Sequence, residues 1–526
     1  MGTLAYRNGF VSLAFFAPES PMSTSPKPLT DEATAPPPPV PVVVEDASDR
    51  RRWWVLIVIA IAQLMVVLDV TIVNIAMPSA QRDLGFSDGN RQWIVTAYAL
   101  AFGSLLLLGG RLADLFGRKI AFLVGIAGFA GSSALAGAAP NFEVLVTGRV
   151  LQGLFGALLA PAALAVLNVT FTTAKDRARA FGVFGAIGGA GGAFGLLLGG
   201  LLTEHLNWRW TLYVNLVFAV IAFTGGLVLM RKGAPAVRPK LDLPGTVLGS
   251  AGLFGLVYGF ANAETYDWSS PMTWGTLTAA VILLAGFTWW QTRATHPLLP
   301  LRVLADRTRG ASFLVMAIAS AGLFGVSLFL TYYLQSSRGF TPVRTGLAFL
   351  PMMGSLMVVA QLSISVLLPK IGPKILVPLG LLTSAAGLAL LTALDLNSGY
   401  AAGVLPGLLL IGSGIGLSLP PAMSLSIHGI RVEDAGVGSA AVNTMQQVGG
   451  AIGTALLNTL AASAATAYLA GRTPTRATVA QAQLHSYSTA YWWSAGLFVA
   501  GAVIAVLMFR KGRPGSGEPS APIVHM

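Results

Sequence analysis

Two ionisable residues stand where a 526-residue chain with only 10% charged residues has least reason to keep them. Asp69 lies in the apolar run LMVVLDVTIVNIAM, and Arg149 lies in LVTGRVLQGLFG. A charged side chain near mid-bilayer costs about 2.5–3.5 kcal/mol even on insertion scales, so each needs a partner or a purpose. By helical rise, Asp69 sits roughly 13 Å from Pro78, taken as the outer end of its helix, and Arg149 roughly 10 Å below the outer end of its own. Equal depth makes the two an ion-pair candidate. Burial disfavours a charged carboxyl and a nearby guanidinium favours it, so a change in exposure or substrate occupancy would release or capture a proton. On this reading Asp69 is a proton carrier facing a central cavity and Arg149 is its counter-charge. The plainer alternative is a structural pair that only fixes helix packing.

The elements that must hold these residues are apolar helices. The chain is 54% hydrophobic, with a mean hydropathy of +0.70, against about 25% charged residues for a soluble domain. Lipid is therefore its main solvent, and an ordinary cytosolic enzyme is excluded. There is no Cys, and the five His are scattered, which leaves no disulfide framework, thiolate metal site or cysteine nucleophile. Phosphate-loop, G-x-S-x-G and H-E-x-x-H motifs are absent from the sequence, so no cofactor and no catalytic residues are expected. The net charge of +12 does not point to nucleic acid, because Lys and Arg fall in short runs between apolar segments.

Apolar stretches long enough to span recur at 53–77, 92–112, 119–138, 143–168, 178–201, 210–230, 243–262, 273–290, 311–334, 344–368, 374–393, 401–422, 436–463 and 489–509. Fourteen helices place both termini on one side. If that side is cytoplasmic it carries 25 of the 33 Lys and Arg, the opposite side carries seven, and Arg149 lies within a span. That bias sets the orientation in a cell membrane. The expected organisation is a disordered cytoplasmic tail (1–52, with Met22 as an alternative start), a six-helix bundle (53–232), a linker with two inserted helices (233–310), a second six-helix bundle (311–510) and a cytoplasmic tail (511–526). Six, two and six suggest a duplicated bundle, a plan that puts a substrate site near the midplane between halves.

LDVTIVNIAMP (68–78), with Asp69 inside it, resembles the first-helix signature of the fourteen-span drug:proton antiporters of the major facilitator superfamily, and GGRLADLFGRK (109–119) resembles their loop between helices 2 and 3. GRVLQGLFGALLAP (148–161) is similar to the helix 4 motif whose arginine is tied to proton coupling. WRWTLYVN (208–215), YYLQSSRGFTPVRTGLAFLP (332–351) and NTMQQVGGAIGTALLNT (443–459) follow in family order. The resemblance covers about residues 53–510. It implies an all-α integral membrane protein with the major facilitator fold, and a cytoplasmic gate built on Gly110, Asp114, Gly117, Arg118 and Lys119. The helix 5 run KDRARAFGVFGAIGGAGGAFGLLLGG (175–200) resembles the antiporter motif, with Gly188, Gly192, Gly195 and Gly199 allowing close helix packing. Leu196 stands where that motif has proline, which removes a fixed kink.

Polar and aromatic residues at helical depth are candidates to line the substrate cavity: Trp93, Tyr98, Gln152, Asn168, Asn215, Tyr332, Gln361, Asn443, Gln446 and Gln447. Interfacial anchoring and interhelical hydrogen bonding are the competing roles for such residues. The expectation is a monomeric exporter of hydrophobic or amphiphilic small molecules in exchange for protons. A dedicated exporter of one endogenous metabolite, or a membrane ligand sensor with a transporter fold, stays open beside it.

Overall fold

Runs of about twenty apolar residues offer the backbone no partner in lipid but itself, and helices satisfy it. The computed structural model describes residues 47–510 apart from 88, 172, 231–241, 267, 269, 428–429 and 431–434. Its helices are α1 (Ala47–Leu84), α2 (Gln92–Phe116), α3 (Arg118–Gly137), α4 (Phe142–Thr170), α5 (Ala174–His205), α6 (Trp210–Leu229), α7 (Leu243–Tyr266) and α8 (Pro271–Arg293). They continue as a short α9 (Arg302–Ala305), α10 (Arg307–Tyr332), α11 (Pro342–Leu362), a short α12 (Leu368–Ile371), α13 (Pro373–Leu391), α14 (Leu405–Ile427), α15 (Ala435–Leu469) and α16 (Arg476–Met508). Single π-helical turns at Tyr333–Ser337, Ser363–Leu367 and Tyr400–Val404 adjoin α10, α11 and α14.

Each apolar stretch of the sequence is occupied by a long helix. Two boundaries differ most. Pro78 does not end α1, which runs through it to Leu84. Helix α16 starts at Arg476, well before 489, on a Thr475 capping box. Among the described residues twelve helices are long and apolar enough to cross a membrane, and the apolar part of α2 is shorter, at Gln92–Leu106. The tail 1–46, the linker residues 231–241 and the tail 511–526 lie outside the described residues.

The helices pack as a repeat. In the first half α2 lies on α4, α3 on α4, α1 on α5, α1 on α6 and α3 on α6. The same five pairings recur in the second half as α11 on α14, α13 on α14, α10 on α15, α10 on α16 and α13 on α16. Even a turn repeats: Gly117 before α3 and Gly372 before α13 hold φ of 92° and 74°, a region that only glycine enters freely. The halves meet through α5 on α11 and α2 on α15, while the α7–α8 pair packs through α7 onto both α2 and α15.

For reference, the end where α1 finishes and α2 begins is the top, and the α2–α3 turn marks the bottom. Cross-half hydrogen bonds gather at the top. Gln335 Nε2 donates to Ile75 O (3.0 Å), Tyr332 Oη to Gln81 Oε1 (2.6 Å), and Val343 N to Glu204 Oε2 (2.9 Å). There α5 and α11 touch almost backbone to backbone, since a Cβ on Gly346 would lie 2.5 Å from Leu196 O.

Candidate functional site: a buried carboxylate and guanidinium in the first half

Among the described residues the buried charges are Asp69, Arg91, Arg149 and Asp242, all within the first half or at the start of α7. Asp69 on α1 has no exposed surface, and Arg149 on α4 has 2%. Arg149 Nη1 donates to Asp69 Oδ2 at 2.5 Å. The other carboxylate oxygen accepts from Gln152 Nε2 (2.9 Å) and Asn215 Nδ2 (2.8 Å). Arg149 also donates through Nε to Ile94 O (3.0 Å) and through Nη1 to Gln152 Oε1 (2.8 Å), and its guanidinium lies 4.5 Å from the Tyr98 ring centroid.

Ser133 on α3 completes the network, accepting from Gln152 Nε2 (2.7 Å) and Asn215 Nδ2 (3.3 Å). Five helices of one half thus meet in one network around the carboxylate. Such density is what a buried charge requires, because an unsatisfied polar group in low dielectric is costly. Gln152 follows Arg149 by three residues, so both reach the same side of α4. A small cavity of about 10 Å³ touches Arg149 from the top side, walled by Ala76, Ile94, Leu145 and Trp208. It has room for roughly one water molecule.

The arrangement corrects the expectation that Asp69 faces a cavity between the halves. Its partners come from α4 and α6, and its carboxylate points into the first bundle. The residues proposed to line a cavity also do not converge. Tyr98, Gln152 and Asn215 belong to the Asp69 network. Trp93 packs at 5.9 Å, its ring tilted by 54°, against Tyr258 of α7, and Tyr332 is buried in the top seam. Asn168 and Gln361 are exposed, while Asn443, Gln446 and Gln447 are half-buried on α15. Gln447 approaches α2, where a Cβ on Gly103 would lie 3.1 Å from its own Cβ. Single-residue polarity cannot say which way a helix is turned, and these residues sit on differently turned faces.

At the bottom, Lys119 Nζ donates to Leu227 O (2.7 Å) and Met230 O (2.6 Å), tying α3 to the last turn of α6 inside one half. Arg118 is half-buried beside it, and the side chain of Asp114 lies outside those described. Of the two glycines that open the segment, Gly109 is the one in close contact, with α4. A Cβ on Gly109 would lie 2.0 Å from Ala157 O, whereas Gly110 has only an ordinary contact with Pro161. On α5, Gly195 and Gly199 pack against Thr71 and Ile72 of α1, and Gly192 reaches toward Met353 of the other half. The surroundings of Gly188 lie outside those described.

Four residues of consequence escaped the sequence. Ser133 is one hydroxyl in an apolar helix and carries no signal. Arg91 reads as a loop cation yet is 5% exposed, Asp242 reads as a linker acid yet is 8% exposed, and Arg111 reads as topogenic charge. Their roles come from partners remote in sequence.

Residues 59–454 match the family model of the Major Facilitator Superfamily, and the chain belongs to that family. It is similar to the puromycin resistance protein pur8 of Streptomyces alboniger, at 52% identity over 64% of this chain and 66% of that protein. It is also similar to the tetracenomycin C resistance and export protein of Streptomyces glaucescens, at 38% identity over 65% of this chain and 63% of the relative. Both alignments span slightly under two thirds of the relative's length. The crystal structure of the POT family transporter PepTSo shares the fold with a TM-score of 0.65 at 16% identity, covering 87% of this chain and 97% of that one.

Proposed function

We propose that the protein is a proton-coupled exporter of hydrophobic or amphiphilic small molecules, working by alternating access between its two halves. The observation that carries this is the Asp69–Arg149 pair, an acid and its counter-charge at the centre of a five-helix network inside one half. A proton on Asp69 neutralises one partner and leaves Arg149 buried without its anion, an imbalance of about 3–5 kcal/mol if nothing moves. Since α1 packs on α5 and α5 on α11, a shift of α1 is passed to the seam between halves. The cavity above Arg149 supports proton access from the top.

The charge bias of the loops supports a cytoplasmic bottom and an external top, fourteen spans, and both termini in the cytoplasm. Each inward proton supplies about 2.3 kcal/mol per 100 mV, enough for a roughly fifty-fold substrate gradient. The gate is the α2–α3 segment with Gly110, Asp114, Gly117, Arg118 and Lys119. Relatives named for resistance to puromycin and tetracenomycin C support antibiotics as substrates and conferred resistance as the outcome. The word export in the second name also favours a narrower reading, one dedicated endogenous compound. A monomer in the plasma membrane is sufficient for this cycle, with the lipid bilayer as its only other partner.

The test is puromycin flux in proteoliposomes with an imposed proton gradient. The reading expects gradient-driven uptake into inverted vesicles and its loss in Asp69→Asn. Undiminished coupling in that variant refutes the carrier assignment, and absence of flux by the intact chain for puromycin and a panel of amphiphiles refutes export.

A further inference from the structure

The start of the inserted helix pair holds a second buried carboxylate, far from Asp69 in the fold. Asp242 precedes α7 and is 8% exposed. Its Oδ1 accepts from Gly245 N (2.9 Å) and Trp290 Nε1 (2.7 Å), and its Oδ2 accepts from Gln291 Nε2 (2.7 Å) and Leu298 N (3.2 Å). Gln291 in turn accepts from Leu299 N at 3.0 Å through Oε1. A carboxylate and an amide therefore grip two consecutive backbone N–H groups of the linker that leads to the second half. Burial alone would raise the Asp242 carboxyl, but the four donors outweigh it and hold it below the ordinary aspartate value.

The gripped segment meets both halves. Leu299 and Val303 are buried in the hydrophobic cluster that takes in the core of the second half together with the top of the first, Phe287 of α8 packs against it, and α9, which holds Val303, lies on α10 of the second half. One residue before Leu298, the carbonyl of Pro297 accepts from Arg111 Nη2 of α2 at 3.2 Å. That carbonyl cannot be placed independently of the N–H groups that follow it. The site is also closed sterically, since a Cβ on Gly245 would lie 2.1 Å from Asp242 Oδ2 and 2.4 Å from Gln291 Nε2.

We infer that Asp242 and Gln291 are positioning residues that clamp the linker backbone, so that the inserted helix pair presents Pro297 to Arg111 and docks the gate-bearing end of α2 onto the second half. The inserted pair then has a mechanical role, setting how readily the bottom end of the first half lets go of the linker. A helix pair that only filled lipid-facing volume would need neither a four-donor carboxylate nor a glycine cleared to admit it. This goes beyond the export reading, and its test requires no transport.

The chain has no native cysteine, so pairs can be introduced directly. In full-length protein in membranes, Leu112→Cys with His296→Cys, the sequence neighbours that leave Arg111 and Pro297 in place, is joined by a bis-maleimide, and Asp83→Cys with Arg209→Cys, a pair in contact at the top of the first half, serves as control. Asp242→Asn turns an amide donor toward groups that are themselves donors, and Gly245→Ala breaches the same clamp by bulk. The expected result is an about tenfold lower yield at 112/296 in each variant, the scale of losing one charge-assisted hydrogen bond, with the 83/209 yield unchanged. An unchanged 112/296 yield in both variants overturns the inference. A fall of both pairs together also overturns it, since it marks general loss of fold.

Discussion

The guanidinium of Arg91, the residue that caps the start of the first half's α2, lies 4.4 Å from the ring centroid of Tyr332 in the second half. It lies 5.5 Å from Phe329, and its Nε donates to Asn458 Oδ1 at 3.0 Å. Tyr332 itself donates to Gln81 across the same seam. A cation from one half is thus inserted among aromatic and amide groups of the other, at the end where the halves are closed. A desolvated cation–π contact is worth up to about 2 kcal/mol, so this is a latch whose strength bears directly on the opening equilibrium.

Replacing Arg91 by Ala should open the top. A cysteine at Leu334, which is 1% exposed, should then react with a membrane-impermeant maleimide about ten times faster, the factor that roughly 1.4 kcal/mol supplies. Arg91→Lys should fall between, because it keeps the charge and loses the planar stack. Equal labelling rates in all three proteins would show that the latch contributes nothing.

Arg149 should behave as half of a unit. Arg149→Gln leaves Asp69 buried without its cation and should cost about 3–5 kcal/mol, seen as a large drop in thermal stability. Adding Asp69→Asn to that variant removes the stranded charge and should recover most of the loss, with proton coupling still absent. A double variant as unstable as the sum of its parts would mean that the two side chains are energetically independent.

Glu204 gives the top seam a pH dependence of known sign. The backbone N–H of Val343 holds its carboxyl below the ordinary glutamate value, at the N-terminal turn of α11 where a negative charge is favoured. A depressed value means the contact is fully present above the ordinary range and is lost as pH falls through the lowered one. Labelling at Leu334→Cys, taken relative to a fully exposed cysteine at the same pH so that the thiolate fraction cancels, should therefore be flat from about pH 5 upward and rise below roughly pH 4. Glu204→Gln should abolish that rise, and a rise of the same size in the Gln variant would assign it to another group.

Gly346→Ala tests the α5–α11 contact. Its Cβ would meet the carbonyl of Leu196 at 2.5 Å, and backbone has no rotamer to yield. The seam must part, so the variant should fold with both halves intact and label faster at the top. Gly354→Ala on the same helix, with nothing within 4 Å of its Cβ, should behave as wild type.

Long apolar runs leave no alternative to helices in lipid, and for that reason the order and rough limits of the long helices were legible from hydropathy. Asp69 and Arg149 were legible on the same physics, since a lone acid and a lone guanidinium at equal depth in oil have few other reasons to exist. Pro78 misled because helices in an apolar medium run through proline when the freed carbonyl finds another arrangement.

The sequence by itself determined a membrane-embedded helical repeat with one charge pair in its interior, because burial of charge is expensive wherever it occurs and composition reports that expense locally. Only the tertiary structure decided which way each helix is turned. Rotation about a helix axis is set by contacts with residues dozens or hundreds of positions away, and it put Asp69 inside the first half, Tyr332 in the seam and Trp93 against α7. The same remoteness hid Arg91, whose partners begin at Phe329, and Asp242, whose grip on the linker spans more than fifty residues.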